Sequence, residues 1–299
     1  YATGGQSHRE VWVDDLTENL SDRTQEFCTM YNMIRLADYL LRWTGEKKYA
    51  DYIELCYYNG VLAQQNKLTG EICYFLPLCG GGKKKWEDRF NSFYCCCGTM
   101  TQAQASYGDK ILYQSDNRLY LSQYIPFIAQ EDGYNLSMDF HRSEEQDEGL
   151  IYEIEVDCAE EYVLCLRKPD WTQEYSLLIN GISAAIEGAD DWLKVPIRGK
   201  HTLMLQVQPR ILPVKLGEKD NRVAFRYGPI LLAALSDGEY ALHGSVEEVI
   251  KQIDMSKLIF ADPMERDSTY IENARGNFKL MPLYRITDER YQVYFPIIG

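Results

Sequence analysis

The chain is poor in positive charge and in histidine. Only 31 Lys and Arg stand against 45 Asp and Glu, a net charge of −14 over 299 residues, and there are four histidines. A surface this acidic repels phosphate backbones and anionic headgroups, so neither nucleic acid nor a membrane surface is an expected partner. Long hydrophobic runs are also missing. Nothing approaches the roughly 18–20 consecutive apolar residues of a spanning helix, and no transmembrane segment is expected. There is no internal repeat. The glycine-led stretch Gly4-Gly5-Gln6-Ser7-His8-Arg9-Glu10 lacks the Walker lysine and its spacing, and reads as a polar loop lining a pocket. An initiator Met and a signal peptide are absent as well. The sequence opens on Tyr1-Ala2-Thr3-Gly4-Gly5 as if entered in mid-domain, so the compartment stays unassigned, with the cytoplasm favoured if the chain is complete.

What is present is enough for a real core, with 45% hydrophobic residues, 23 tyrosines and five tryptophans. Nine cysteines, an odd and irregularly spaced number, fit a reducing environment better than a disulfide framework. The first third has helical periodicity. Met30, Met33, Ile34, Ala37, Leu40 and Leu41 recur at three- and four-residue steps over 26–44, with Ser21 and Asp22 as cap candidates and Thr44-Gly45 as the stop. Residues 47–65 repeat the pattern, so the two make an antiparallel helical hairpin. Glu71 to Leu78 reads as a short strand, Gly80-Gly81-Gly82-Lys83-Lys84-Lys85 as a mobile, solvated turn, and 98–110 as helix again. From Arg118 onward short alternating runs take over (119–124, 152–156, 162–166, 203–207), with Asn180-Gly181 as a two-residue hairpin signal. A further helix is expected at 246–253 and two strands near 278–286 and 291–295. The order is helical first, then β.

The most unusual feature is the triplet Cys95-Cys96-Cys97, with Glu26 and Cys28 far upstream. Adjacent thiols point in different directions and suit core packing poorly. A carboxylate with several thiols makes a plausible four-ligand set for a borderline metal such as zinc. Residues two apart diverge by roughly 200° on a helix, so Glu26 and Cys28 could share an ion only where the chain enters its helix. Cys95 and Cys96 likewise call for a turn or extended backbone. The residues equally allow buried free thiols or a strained vicinal disulfide. Cys56, Cys73, Cys79, Cys158 and Cys165 sit in apolar patterns and read as core. His8 is the one histidine beside candidate chemistry.

At these motifs the sequence resembles the DUF1680 superfamily of bacterial glycoside hydrolases, in particular the GH127 β-L-arabinofuranosidases and their GH146 relatives. The resemblance rests on Tyr1-Ala2-Thr3-Gly4-Gly5, Glu10, Glu26-Phe27-Cys28, Tyr31-Asn32-Met33, Tyr58-Asn59-Gly60-Val61 and Phe93-Tyr94-Cys95-Cys96-Cys97-Gly98-Thr99. Downstream it continues through Pro169-Asp170-Trp171, Ile179-Asn180-Gly181 and Tyr227-Gly228-Pro229. It implies a retaining cysteine glycosidase that releases β-L-arabinofuranose or a related sugar, with Zn2+ held by Glu26, Cys28, Cys95 and Cys96. Cys95 is then the nucleophile and Glu10 the general acid/base. A register one residue later, Cys96 with Cys97, is the alternative pairing. The implied fold class is α+β multidomain: a partial (α/α)6-barrel helical region over 1–114, a β-sandwich over 115–245, and a C-terminal helix and strands over 246–299 packing on it. A missing N-terminal region or another copy in a homo-oligomer would complete that barrel. Two other readings stand beside this one: a non-catalytic carbohydrate-binding or assembly module, and an ordinary two-carboxylate glycosidase with incidental cysteines.

Overall fold

The computed structural model describes residues 1–14, 19–142, 149–185, 191–254, 269–273 and 276–299. Part of the expected C-terminal unit, 255–268, thus lies outside the described residues. Helix α1, Phe27–Thr44, buries Phe27, Met30, Tyr31, Ile34, Ala37 and Leu41, one face at three- and four-residue steps. Gly45 ends it in the left-handed conformation at φ 68°, its N–H donating to Leu41 O at 2.8 Å. The N-cap is Glu26, not the expected Ser21 or Asp22; Ser21 is drawn into a turn by the Thr24 hydroxyl.

Helix α2, Lys47–Cys56, packs against α1 as the expected hairpin. It does not run on as α-helix to Gln65. One wider π-helical turn, Tyr57–Val61, follows, and tertiary contacts account for it. The Asn59 amide donates to Leu55 O and to Pro229 O, while its carbonyl oxygen accepts from Leu231 N. Gly60 lets this turn touch α1, because a Cβ there would meet Met30 Cε at 2.6 Å. Helix α3, Cys95–Ala105, begins three residues before the expected start and so includes all three adjacent cysteines. A short helix α4, Val246–Lys251, carries a Ser245–Glu248 capping box.

The remainder is mostly strand. One eight-stranded sheet is built on two 18-residue strands, Leu150–Arg167 and Trp192–Pro209, paired antiparallel along their length with a register shift between Ile197 and Gly199. Arg118–Leu121 joins one end of this ribbon in parallel, and Tyr134–Arg142 joins the other. Alternation buries Leu150, Tyr152, Ile154 and Val156 on one face. Asn180 and Gly181, at φ 52° and 79°, make the expected hairpin turn. A second eight-stranded sheet includes Ile211–Lys215, Arg222–Tyr227, Ile230–Leu235, Gly276–Pro282 and Phe295–Ile298.

The expected partial (α/α)6 barrel is not what the chain forms. Strand dominates, and the described residues hold four α-helices, of which only α1, α2 and α3 lie in the first 114 residues. The stretch from 62 to 94 is irregular, tied by single bridges such as Glu26 to Phe75 and Cys73 to Trp86, and the strand expected at 71–78 is absent. The physical reason is in the packing. The apolar faces of α1, α2 and α3 close on one another and on Cys165 and Trp192 from the first sheet, so sheet side chains complete a core that a barrel would fill with further helices. The irregular 62–78 segment leans on the second sheet through Ala63, Leu76 and Leu78. No helix among the described residues is long and apolar enough to cross a membrane.

Candidate active site and metal centre

Two helix starts converge on one point. Glu26 is the N-cap of α1 and Cys28 its second residue; Cys95 and Cys96 are the first two residues of α3, after the extended Tyr94. Glu26 is extended and Cys28 helical, which lets residues two apart turn toward a common centre. Cys95 and Cys96 are both helical rather than in the expected turn or extended backbone, and adjacent helix positions about 100° apart still reach it. The two helix starts also aim their positive ends at the sulfurs, which favours thiolates. The ligand atoms of Glu26, Cys28, Cys95 and Cys96 all lie within 4.8 Å of one another. Cys96 Sγ is 3.4 Å from Cys28 Sγ and 3.8 Å from Glu26 Oε1, and Cys95 Sγ is 3.9 Å from the same oxygen. Around a tetrahedral zinc with S and O ligands these separations would be about 3.5–3.8 Å, so the donor set fits such an ion in chemistry and in size.

Cys97 stands outside the group, its Sγ 3.4 Å from Ser92 O. The register that pairs Cys96 with Cys97 is therefore not the one the geometry groups. Cys96 is fully buried, Cys28 half-buried and Cys95 exposed, which leaves one sulfur open to solvent. Burial pushes the Cys28 thiol up from 9.0 to about 11, and raises Cys96 as well, with the neighbouring Cys28 sulfur adding to it.

Glu10 reaches the cluster through a residue the sequence reading passed over. The Tyr74 hydroxyl donates to Glu10 Oε1 at 2.6 Å and lies 3.2 Å from Cys95 Sγ. Burial raises the Tyr74 pKa, and Cys95 and Glu10 beside it raise it further, so the phenol stays protonated. No spacing rule marks Tyr74. It arrives because three extended segments run side by side: Arg9 N donates to Arg23 O, Gln25 N to Ser7 O, and Phe27 N to Tyr74 O. The residue before each carboxylate, Arg9 and Gln25, has positive φ at 55° and 54°. Such non-glycine strain persists only where surroundings hold it. Gln25 is fixed by Thr3 Oγ1 and by its own donation to Gln64 Oε1 at 2.8 Å.

Two threonines also support the ligands and were missed. Thr29 Oγ1 donates to Glu26 Oε2 at 2.8 Å, and Thr99 Oγ1 is 3.3 Å from Cys28 Sγ. A signal existed for both: Thr29 is three residues after Glu26, and Thr99 four after Cys95, each on the same helical face. His8 is turned to Ser21 Oγ at 2.9 Å and does not join the cluster. Trp12, two residues after Glu10, and Phe93, two before Cys95, are 56% and 88% exposed.

Residues 1–109 match the family model described as beta-L-arabinofuranosidase, GH127 catalytic domain. Among curated proteins, none matches the chain. Among solved structures, a GH127 beta-L-arabinofuranosidase from Geobacillus stearothermophilus T6 aligns with a TM-score of 0.71 at 19% identity, over 99% of this chain and 54% of that one. A GH127 beta-arabinofuranosidase aligns at 0.69 with 17% identity, over 99% and 54% of the two chains. A structure described as a glycoside hydrolase gives 0.69 and 17%, over 92% and 52%. The chain thus spans about half the length of the solved structures it matches, and at these identities the likeness establishes a shared fold.

Proposed function

Because residues 1–109 match the GH127 catalytic-domain family model, we propose that the protein is a retaining glycoside hydrolase that releases β-L-arabinofuranose or a related sugar, with Cys95 as nucleophile and Glu10 as general acid/base. The chemistry falls within the first of the expected units, 1–114. The observation that carries the reading is the single Tyr74 hydroxyl bridging Glu10 and Cys95. It holds a carboxyl and a thiol on one side of a short gap, and retention calls for catalytic groups only about 5–5.5 Å apart.

Glu26, Cys28, Cys95 and Cys96 would hold Zn2+, which when bound keeps sulfur deprotonated at neutral pH. Cys95 Sγ attacks the anomeric carbon as the bond to the leaving oxygen breaks, and the Glu10 carboxyl gives that oxygen its proton. The sugar is then joined to Cys95 sulfur. In the second half, Glu10 as carboxylate takes a proton from water; the water oxygen bonds to the anomeric carbon and the carbon–sulfur bond breaks. Two displacements at one carbon give net retention. Tyr74 orients the Glu10 carboxyl group in both halves.

The test is hydrolysis of an aryl β-L-arabinofuranoside by the parent, Cys95→Ser and Glu10→Gln, with zinc content measured in each. Both variants should lose at least about 10³-fold in kcat/KM, within the range of covalent and acid–base contributions. Mass spectrometry should find the sugar on the peptide carrying Cys95. Hydrolysis by either variant at the parental rate would defeat the assignment. Tyr74→Phe should cost about 10–100-fold in kcat with KM little changed, since Glu10 and Cys95 then lack the hydroxyl that orients them.

A further inference from the structure

The two oxygens of Glu26 face different partners. Oε1 looks toward the sulfurs, 3.8 Å from Cys96 Sγ and 3.9 Å from Cys95 Sγ. Oε2 accepts from Thr29 Oγ1 at 2.8 Å. Glu26 is the N-cap of α1, a position where side-chain oxygens commonly accept from a backbone N–H of the first turn. Its carboxylate makes no such bond. The hydroxyl three residues further on holds it instead.

Thr29 is unusual among the helical threonines. Thr44, Thr99 and Thr101 each bond back to a carbonyl one turn earlier, to Leu40 O at 2.7 Å, Cys95 O at 3.3 Å and Cys97 O at 3.0 Å. That is the ordinary use of a threonine hydroxyl inside a helix. The Thr29 proton goes to a carboxylate. Glu26 is 7% exposed and Thr29 half-buried, so water competes little for Oε2. The backbone of Glu26 is fixed as well, its N–H donating to Ser7 Oγ at 2.9 Å. The carboxylate therefore has little freedom to turn while Thr29 holds it.

We infer that Thr29 is a positioning residue that restricts Glu26 to one donor oxygen, Oε1, so that Glu26, Cys28, Cys95 and Cys96 offer an ion one oxygen and three sulfurs. This rests on the metal reading of that group. Four donors are the number that zinc takes with such ligands, whereas a carboxylate free to turn can bind through both oxygens. Partners that orient a ligand in this way contribute about 10–100-fold to metal affinity.

The test is Zn2+ and Co2+ binding by the full chain, reduced and freed of metal, as the parent, Thr29→Val and Thr29→Ser. Valine keeps the branched shape without the hydroxyl, and serine keeps the hydroxyl. The parent should give the strong visible bands of four-coordinate Co2+. Thr29→Val should bind Zn2+ about 10–100-fold more weakly in competition with a chelator, and its Co2+ bands should weaken toward those of a five-coordinate ion. Thr29→Ser should recover both properties. Parental affinity or a parental Co2+ spectrum in Thr29→Val would overturn the assignment, as would a Thr29→Ser as impaired as Thr29→Val. A crystal structure of the zinc-loaded parent serves even if Thr29→Val does not fold. Both Glu26 oxygens on the ion, or Thr29 Oγ1 turned away from Oε2, would overturn it there. A parent that binds neither ion would remove the metal reading itself, and the role of Thr29 with it.

Discussion

Two buried acidic groups in this protein solve the same problem in opposite ways. Against α2, Asp51 and Glu54 are both tied to Arg167, which is fully buried, and Arg167 also donates through Nε to Ser122 O at 2.6 Å. Burial disfavours the guanidinium charge, and Glu54 and Asp51 more than restore it. The set is neutralised from within and joins helix to sheet. At the other set, Glu26 with Cys28, Cys95 and Cys96, no Lys or Arg side chain is in contact among the described residues; the recorded partners are threonines, Tyr74 and one another. An acidic cluster without its own cation is stable as anions only when a cation comes from outside. The comparison separates an architectural charge cluster from a receptive one. Lys84 adds a third solution. It is 2% exposed, and its Nζ donates to Leu283 O at 2.8 Å and Ile286 O at 2.7 Å with no carboxylate attached. Burial lowers its pKa from 10.5 to about 7, against the opposing pull of Cys73 and Glu289. Two carbonyl acceptors match the two hydrogens of a neutral amine.

The largest effect should come from breaking the self-contained set. Arg167→Met leaves Glu54 buried with the Trp171 indole but no countercharge, and Asp51 with Lys47 alone, and urea unfolding should register a loss of about 3–5 kcal/mol; a loss below about 1 kcal/mol would mean the network is not what joins helix to sheet. Next is the receptive set. Adding a chelator to the zinc-loaded protein should lower its stability by about 3 kcal/mol, for free zinc initially a hundredfold above its Kd. The same chelator should do nothing to Cys28→Ser, and an equal chelator response in parent and variant would place the metal elsewhere. Per pH unit, the smallest effect belongs to Lys84. Between about pH 7 and 10.5 the unfolded chain keeps a proton that the folded one has shed, so stability rises with pH across that window and is flat below it. The slope for one proton is about 1.4 kcal/mol per pH unit, and it should vanish in Lys84→Met when the difference between the two proteins is followed by thermal melts from pH 6 to 10. A difference that does not change with pH would mean Lys84 stays charged when buried.

How much was legible varies by residue. The α1 stripe of Met30, Ile34, Ala37 and Leu41 and its Gly45 stop are local properties, and the sequence carries them. Asn180-Gly181 is local in the same sense, because few residues tolerate two successive positive φ values. The solvated reading of Gly80 to Lys85 failed at Lys84, since a lysine run looks the same whether water or two distant carbonyls surround its middle member. The strand expected at 71–78 failed because its bridges are single and go to three different neighbours. The barrel failed because periodicity tells that a helix has an apolar face and not what covers it; here Cys165 and Trp192 of the sheet do.

By itself, then, the sequence determined the residue types of the site, the helix starts at which Glu26 and Cys28 could turn together, and the acidic surface that repels phosphate. Only the tertiary structure decided that Cys97 stays out of the group, that Tyr74 joins Glu10 to Cys95, and that one buried acidic set holds an arginine while the other holds none. The physical reason is range. Capping, periodicity and turn preferences act over a few residues, whereas a charge is matched or left open by whatever the fold brings from 60 to 120 positions away, as with Glu10 and Tyr74 or Arg167 and Glu54.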